Sequence, residues 1–365
     1  MRVCFLNHDL KENTGAGRFG LQLVGAMVKE NPDFFPTVLT TEGSGHPWER
    51  PLLSPNAPRL IFSFLRIRSV LKECDVIHAL DGYPYGVIAA IASVGLGKKL
   101  AITAIGTGAI KPFRSPIKSM LLRWAYRRAD QLVAISHYTK REIFKNVTGL
   151  DISIINHAIT AEEFSCFSDE ELSEDEKSKI EKLRPYILSV GGWKRRKGFE
   201  HSFPAFAKVA RVFPKMKYVV IGAATPKLKL SEPYGITDRV FYFLGVRRQF
   251  LIALYRNAEL FMLLPCDSRD DVEGFGFAFL EAAASGLPVI GTYESGAEDA
   301  VAHGKNGFLV EPRNSDAAAR AALKILSDHD LREEFAKNSI DFARRMNWNK
   351  VALEYAAIYR KLIMK

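Results

Sequence analysis

The amino-acid sequence predicts an α/β protein of two domains, each built on a parallel sheet covered by helices. Three observations carry that reading. The chain has 365 residues, beyond the size at which a single core usually keeps growing, and its 47% hydrophobic content is enough for two cores. Short, continuously apolar runs alternate with helical stretches, as expected of strands buried on both faces. The alternation breaks at a polar, acidic stretch from Ser165 to Lys182 and restarts after it.

In chain order, an apolar strand from Arg2 to Leu6 leads through a polar loop into a helix predicted from about Arg18 to Lys29. A second strand follows near Pro36 to Thr40. Further strands are expected at Val76 to Ala79, Leu100 to Ala104, Gln131 to Ile135 and Ile152 to Ile155, with helical stretches between them. Ser165 to Lys182 reads as a junction carrying a charged helix. Beyond it, Tyr186 to Val190 is a strand ending in Gly191-Gly192, and a helix begins near Gly198. Strands at Tyr218 to Ile221, Val240 to Phe243, Leu260 to Leu264 and Pro288 to Ile290 continue the second half. This half repeats the architecture of the first without a residue-level repeat. A last helix, about Trp348 to Met364, follows the completed second sheet and is placed to pack back on the first domain. The expected domains are 1–164, 165–346 and a C-terminal helix in 347–365.

Composition narrows the class. The longest apolar stretch, Val87 to Leu96, is about half of what a bilayer span needs and is interrupted by Gly95, so it reads as a buried helix. The opening MRVCFLNHD has too short an apolar run for a signal peptide and no small-residue cleavage site, so a cytoplasmic protein is expected. Cys4, Cys74, Cys166 and Cys266 are far apart and form no CxxC or Cys/His spacing. Reduced thiols are therefore expected, with neither a zinc site nor a disulfide framework.

The net charge of +10 calls for an anionic partner. The densest basic segment, Lys111 to Arg128, sets Phe113, Trp124 and Tyr126 among Lys111, Arg114, Lys118, Arg123, Arg127 and Arg128. A helix from about Pro116 would carry a cationic and an aromatic face. That composition suits peripheral attachment to an anionic membrane surface, and equally an ordinary amphipathic helix with solvated side chains. No nucleic-acid partner is expected.

Two glycine-rich loops compete for a phosphate. Gly15-Ala16-Gly17-Arg18-Phe19-Gly20 satisfies G-x-G-x-x-G, with Glu42 at a distance suited to a ribose, which would suggest a nicotinamide-dependent oxidoreductase. The intervening HDLKENT is too long for that fingerprint, whose first glycine should follow the strand almost at once. A glycine loop set so far from the sheet suits approach to a ligand from the opposite wall of a cleft; plain turn chemistry is the bland alternative. In the second loop, Ser189 to Gly198, a strand runs into Gly191-Gly192 and then Lys194, Arg195, Arg196 and Lys197 before a helix start. Strand-end glycines admit a phosphate to the backbone and adjacent cations neutralise a diphosphate. A solvated basic turn is the alternative.

The most informative segment runs from Glu273 through Gly274, Phe275, Gly276 and Phe277 to Glu281, an E-x7-E spacing leading into AAASGLPVIG. Backbone N–H groups at the helix entry can bind sugar hydroxyls or a phosphate. Glu281 is expected about 8 to 10 Å further along the axis, a span close to that from a sugar phosphate to the ribose. Its apolar neighbours describe a buried helix, where an unpaired carboxylate costs several kcal/mol. A ribose diol would satisfy it, and so would an internal Arg or Lys.

With these residues in view, the sequence resembles the retaining glycosyltransferases of the GT-B fold, family 4 (glycosyl transferases group 1), over nearly the whole chain and most strongly from Tyr186 to Glu311. The resemblance rests on the Gly-rich loop Thr14 to Arg18, the SVG…KG loop Ser189 to Gly198 and the E-G-F-G…E-A-x-A-x-G-x-P-V segment Glu273 to Val289. Ser295-Gly296 and the G-x-x-G-x-L-V segment Gly304 to Val310 complete it. It implies two Rossmann-like domains with parallel sheets facing across a cleft, an N-terminal acceptor-side domain and a C-terminal nucleotide-sugar domain.

By the same resemblance, Lys197 contacts the donor diphosphate and offsets leaving-group charge, and Glu273 faces the donor sugar. The backbone of Phe275, Gly276 and Phe277 holds sugar hydroxyls or phosphate, Glu281 grips the ribose, and Gly15 and Gly17 let the first domain approach the diphosphate. The logic is departure of a diphosphate stabilised by fixed cations, so no metal or other cofactor is required, and Asp270-Asp271 is read as polar loop.

Two positions depart from the family pattern. Gly192 stands where many members have Arg, leaving Arg195 or Arg196 to supply the second charge. Ile105 stands before Gly106 where many have a His near the donor sugar, with Thr107 the nearest polar substitute. The expected reaction is transfer of a hexose-type sugar from a UDP- or GDP-sugar to a lipid-linked or saccharide acceptor with retention, in a surface-polysaccharide pathway. A nucleotide-sugar epimerase and an inactive nucleotide-sugar-binding homologue are the alternatives.

Overall fold

The computed structural model describes residues 1–12, 14–54, 57–222, 231–267 and 271–364. The chain divides into two compact units, Met1–His157 with Trp348–Lys365, and Ala158–Asn347. The change of unit comes ahead of the acidic stretch, because Phe164 is already buried in the second unit. The acidic helix Glu174–Leu183 also belongs there, capped by Ser173 and Glu176 in a reciprocal box.

The first unit holds seven strands: β1 (Arg2–Leu6), β2 (Phe35–Leu39), β3 (Glu49–Arg50), β4 (Val76–Leu80), β5 (Lys99–Ala104), β6 (Gln131–Ala134) and β7 (Ile152–Ile154). They pair in parallel in the order β3-β2-β1-β4-β5-β6-β7. All five residues of β4 are buried, the consequence of helices on both faces of a parallel sheet. β3, at the sheet edge, has two residues and gave no sequence signal.

The Trp348–Met364 helix completes this unit. Its Tyr359 hydroxyl lies 2.6 Å from His78 Nδ1 on β4, and its Tyr355 hydroxyl lies 3.0 Å from Thr103 Oγ1 on β5. His78 Nε2 closes the network on Thr103 at 2.8 Å. Burial lowers the His78 pKa to about 3, so the ring is a neutral bridge between the sheet and the last helix.

The second unit holds β8 (Tyr186–Val190), β9 (Lys217–Gly222), β10 (Val240–Leu244), β11 (Leu260–Met262), β12 (Val289–Thr292) and β13 (Gly307–Val310). Their order is β10-β9-β8-β11-β12-β13, again all parallel. Strand order reverses between β8 and β11, and ligands of open α/β sheets bind outside the carboxyl ends at such a reversal. The loop after β8 and the segment after β11 are therefore brought together by topology.

The expected helix at Arg18 begins earlier, at Gly15, and runs to Glu30. Thr14 caps it, accepting from the Gly17 N–H at 3.0 Å and donating to Asp9 Oδ1 at 2.8 Å. Gly15 and Gly17 thus belong to a first helical turn, not to a free loop. The apolar stretch at Val87 is helical only to Ala92, and Ile91 and Val94 are exposed.

Candidate functional site

The loop after β8 is shaped around one lysine. Gly191 follows the strand, and a Cβ there would lie 2.9 Å from Lys197 Cε, so the missing side chain leaves the passage the lysine occupies. Gly198, at φ +67°, turns the chain into the Phe199–Val212 helix; a Cβ on it would strike the Leu264 carbonyl at 1.7 Å. Glycine is required there by both conformation and space. Lys197 is left buried beside β11, with Nζ 3.1 Å from Glu273 Oε1.

Glu273 is held from both ends. Its carbonyl accepts from the Gly296 N–H at 2.9 Å. A Cβ at Gly296 would lie 2.2 Å from the Gly274 carbonyl carbon, so only glycine lets the two backbones meet. Its carboxylate, also buried, takes a hydrogen bond from Arg196 as well as Lys197. Arg196 Nε bonds Asp271 Oδ2 at 2.5 Å, and Lys194 Nζ lies 3.7 Å from the same oxygen. Gly276, at φ +90°, then starts the Phe277–Ala284 helix.

The resulting cluster holds Lys194, Arg196 and Lys197 against Asp271 and Glu273, with Arg195 exposed beside it. The four-cation tract is thus not a bare positive loop, as expected from sequence, because two carboxylates from the segment after β11 already neutralise part of it. Asp271 is one of those partners, and Asp270 lies outside the described residues. Burial, and next the charge of Arg196, push the Lys197 pKa well below the ordinary lysine value, while Asp271 pulls the other way. An anion arriving beside Nζ would favour its protonated form.

Glu281 is buried and already partnered, which is the internal-cation alternative that its apolar helix left open. Arg248 Nη1 donates to Oε1 at 2.6 Å and the Tyr255 hydroxyl donates to Oε2 at 3.0 Å. Arg248 comes from the Arg248–Arg256 helix and also grips Glu163 at 2.6 and 2.8 Å. Burial opposes the charge on Arg248, but the two carboxylates outweigh it and hold its pKa above the ordinary value.

The acid of the G-x-G-x-x-G reading is also occupied. Glu42 pairs with Lys11 at 2.5 Å on the surface of the first unit, where it serves the Lys11 turn. Gly17 is needed within its own unit, since a Cβ would meet Asp9 Oδ1 at 1.9 Å, whereas nothing lies within 4 Å of one at Gly15.

Several participants gave no signal along the sequence. Asp271, Arg248 and Tyr255 became visible only as partners. A shallow aromatic recess lies beside Gly191, lined by Trp193, Gly222, Tyr242 and Phe243 at the carboxyl ends of β8, β9 and β10. Trp193 stacks on Phe199 with ring centres 4.7 Å apart. Adjacent Glu200 and His201 and the distant Cys266 bring ligand atoms within 4.8 Å of one another. Arg313 acts on both Cys266 and His201 and disfavours a further cation there.

The architecture matches solved GT-B enzymes over its full length. The Anabaena protein HepE in complex with UDP-glucose superimposes with a TM-score of 0.79, 17% identity and coverage of 99% of this chain and 100% of that one. Sucrose-phosphate synthase from Thermosynechococcus elongatus gives 0.77, 18%, 100% and 99%. WaaG, a glycosyltransferase involved in lipopolysaccharide biosynthesis, gives 0.72, 18%, 98% and 99%. The fold is that of the GT-B glycosyltransferases.

The family models cover most of the sequence in two blocks, Glycosyltransferase Family 4 over residues 14–163 and Glycosyl transferases group 1 over residues 170–342. Among curated relatives, the N-acetyl-alpha-D-glucosaminyl L-malate synthase of Bacillus anthracis is 26% identical over 79% of this chain and 75% of its own length. The GDP-mannose-dependent alpha-(1-6)-phosphatidylinositol monomannoside mannosyltransferase of Mycobacterium tuberculosis is 34% identical over 40% of each. The chain belongs to glycosyltransferase family 4 and is a glycosyltransferase.

Proposed function

We propose that the chain transfers a hexose-type sugar from a UDP- or GDP-sugar to a lipid-linked or saccharide acceptor, with retention of configuration, in surface-polysaccharide assembly. The observation that carries this reading is the placement of Lys197, Arg196 and Glu273 at the strand-order reversal of the second sheet. Lys197 neutralises the departing diphosphate, with Arg196 or exposed Arg195 as the second cation. Glu273 orients the donor sugar between these cations, and the backbone at Gly274 to Phe277 supplies donors to sugar hydroxyls or phosphate. Fixed cations take the part a metal ion plays in other transferases, so turnover needs no added metal. Glu281, set in place by Arg248 and Tyr255, offers its remaining acceptor capacity to the ribose.

The acceptor side is assigned to the first unit. Lys111 to Arg128 is assigned to an anionic membrane surface, which suits a lipid-linked acceptor. Relatives named for phosphatidylinositol mannoside and lipopolysaccharide chemistry support that choice. No helix among the described residues is long and apolar enough to cross a membrane.

A thermal-shift panel of UDP-, GDP- and ADP-sugars tests the donor assignment, with stabilisation expected from one nucleotide class. Turnover unchanged in both Lys197→Ala and Glu281→Ala would sink the site. An isomerised donor in the absence of acceptor would replace transfer with epimerisation.

A further inference from the structure

Half of the large apolar side chains that the described part of the protein exposes lie on one side of the first unit. They sit on three neighbouring helices, Ala57–Lys72, Val87–Ala92 and Pro116–Arg128, and, for Val94, on the turn after the second. Ile117, Met120 and Trp124 form one stripe of the third helix, at i, i+3 and i+7, with the first two 71% and 64% exposed. Phe62 and Leu65, at i and i+3 of the first, are more exposed still, at 85% and 78%. Ile91 and Val94, about half-exposed, stand between the two stripes.

Two arginines fix the spacing of the three helices. Arg68 donates to the Ala92 and Val94 carbonyls at 2.8 and 2.9 Å. Arg128 donates to the Ala90 carbonyl at 3.3 Å and the Ser93 carbonyl at 3.4 Å. Both outer helices are thus pinned to the end of the middle one.

The charge on these three helices has a single sign. None of the three helices contains an Asp or Glu, while the outer two carry Arg59, Arg66, Arg68 and Lys72, and Lys118, Arg123, Arg127 and Arg128. Not all of these face outward. Arg128 is spent on the helix joint, and Arg123 donates to Ser119 Oγ at 3.0 Å and to the Asn146 carbonyl. Arg59, Arg66, Lys72, Lys118 and Arg127 are exposed, and they ring the apolar stripes. Exposed Phe, Leu, Ile and Met on helices whose only charges are cationic complement an anionic bilayer, whose interface takes up apolar side chains and attracts the cations. A protein partner would meet the same cations, but nothing in a water-soluble surface calls for so many apolar side chains standing clear of their own unit.

We propose that Phe62 and Leu65 insert into the same anionic lipid surface as Ile117, Met120 and Trp124, so that the membrane contact is a face of three helices and not the Lys111 to Arg128 segment alone. This rests on the membrane reading given under the proposed function and extends it to a helix on which that reading was silent.

The test is flotation of the full chain with phosphatidylcholine vesicles, with and without phosphatidylglycerol. Three variants are compared: Phe62→Ser/Leu65→Ser, Ile117→Ser/Met120→Ser, and Arg59→Glu/Arg66→Glu. The wild type should float with anionic vesicles only, and each variant should lose about tenfold in the bound fraction. Circular dichroism and the thermal response to UDP or GDP should stay unchanged, which shows that the fold and donor site are intact. A wild type that floats with neither vesicle overturns the membrane reading and this inference together. Flotation lost only in the Ile117/Met120 variant overturns the role of Phe62 and Leu65 and leaves the membrane reading standing. A wild-type dimer in light scattering that Phe62→Ser/Leu65→Ser dissociates, with flotation unchanged, assigns the face to a second copy and overturns the proposal.

Discussion

Arg248 Nη1 lies 2.6 Å from Glu281 Oε1, and the remaining edge of the same guanidinium holds Glu163 at 2.6 and 2.8 Å. One cation therefore fixes the second acid of the E-x7-E pair before any ligand arrives. Glu281 is a prepared acceptor, not a vacant charge, and the experiments on it must separate stability from binding.

Arg248→Ala leaves Glu281 buried with Tyr255 but without its countercharge, and should cost about 3 kcal/mol in urea unfolding. Arg248→Lys should recover part of that loss. Glu281→Gln keeps hydrogen-bonding capacity toward both neighbours, so its main effect should be weaker nucleoside diphosphate binding. Unchanged binding in Glu281→Gln would remove the ribose role and leave a purely structural carboxylate.

Lys197 gives a proton-linked signal. Its pKa is depressed in the free protein, chiefly by burial, and a bound diphosphate would raise it. Binding should then take up protons, with affinity highest at low pH and falling as pH rises through the window between the free and bound pKa values. Calorimetry of UDP or GDP in buffers of different ionisation enthalpy should report uptake that disappears in Lys197→Met. Turnover in that variant should drop about 10² to 10³-fold. Equal heats in all buffers for the wild type would contradict the proposal.

Buried histidines set the acid limit of the first unit. Burial lowers both His78 and His157 to about 3, so each contributes stability that is complete above the unfolded value of about 6.5 and is lost as pH falls below it. The loss between pH 7 and 5 should be about 2 kcal/mol per histidine. Asp81 works in the opposite sense. Burial raises its pKa to about 7 against backbone donors from Gly82, Ile105 and Gly108, so its contribution improves on acidification and diminishes as pH rises through 7. Asp81→Asn should steepen the acid loss seen in melting temperature between pH 7 and 5; an unaltered profile would show that Asp81 does not titrate there.

The two N-terminal glycines should separate cleanly. Gly17→Ala forces a methyl onto Asp9 Oδ1 and Thr14 Oγ1 and should cost about 1 to 3 kcal/mol of stability. Gly15→Ala meets open space and should be neutral or slightly stabilising at a helix start. A loss of donor affinity in Gly15→Ala, without loss of stability, would establish that a ligand approaches that backbone; full affinity would leave Gly15 without a binding role.

Much of the fold was legible because parallel sheets leave a local mark. Strands buried on two faces must be apolar throughout, so β1, β4, β5, β8 and β9 announced themselves, and the last helix was bounded at Trp348 and Met364 by its own periodicity. β3 and β13 were missed because two and four residues, one run opening on Gly307, offer too little pattern. The helix at Gly15 was placed late because glycines at a helix start read as loop until the Thr14 cap is known.

The two-unit α/β architecture, the family and the segments that meet at the strand-order reversal are written in periodicity or in contiguous motifs. The ion pairing of the site and the reach of the basic face come from side chains that folding brings together. Asp271 partners Arg196 across 75 residues, Arg248 partners Glu281 across 33, and the cations of Lys111 to Arg128 split between internal carbonyls and solvent. The reason is physical: periodicity is a property of neighbours along the chain, whereas the partner of a charge is chosen by whichever side chain the fold brings within about 3 Å.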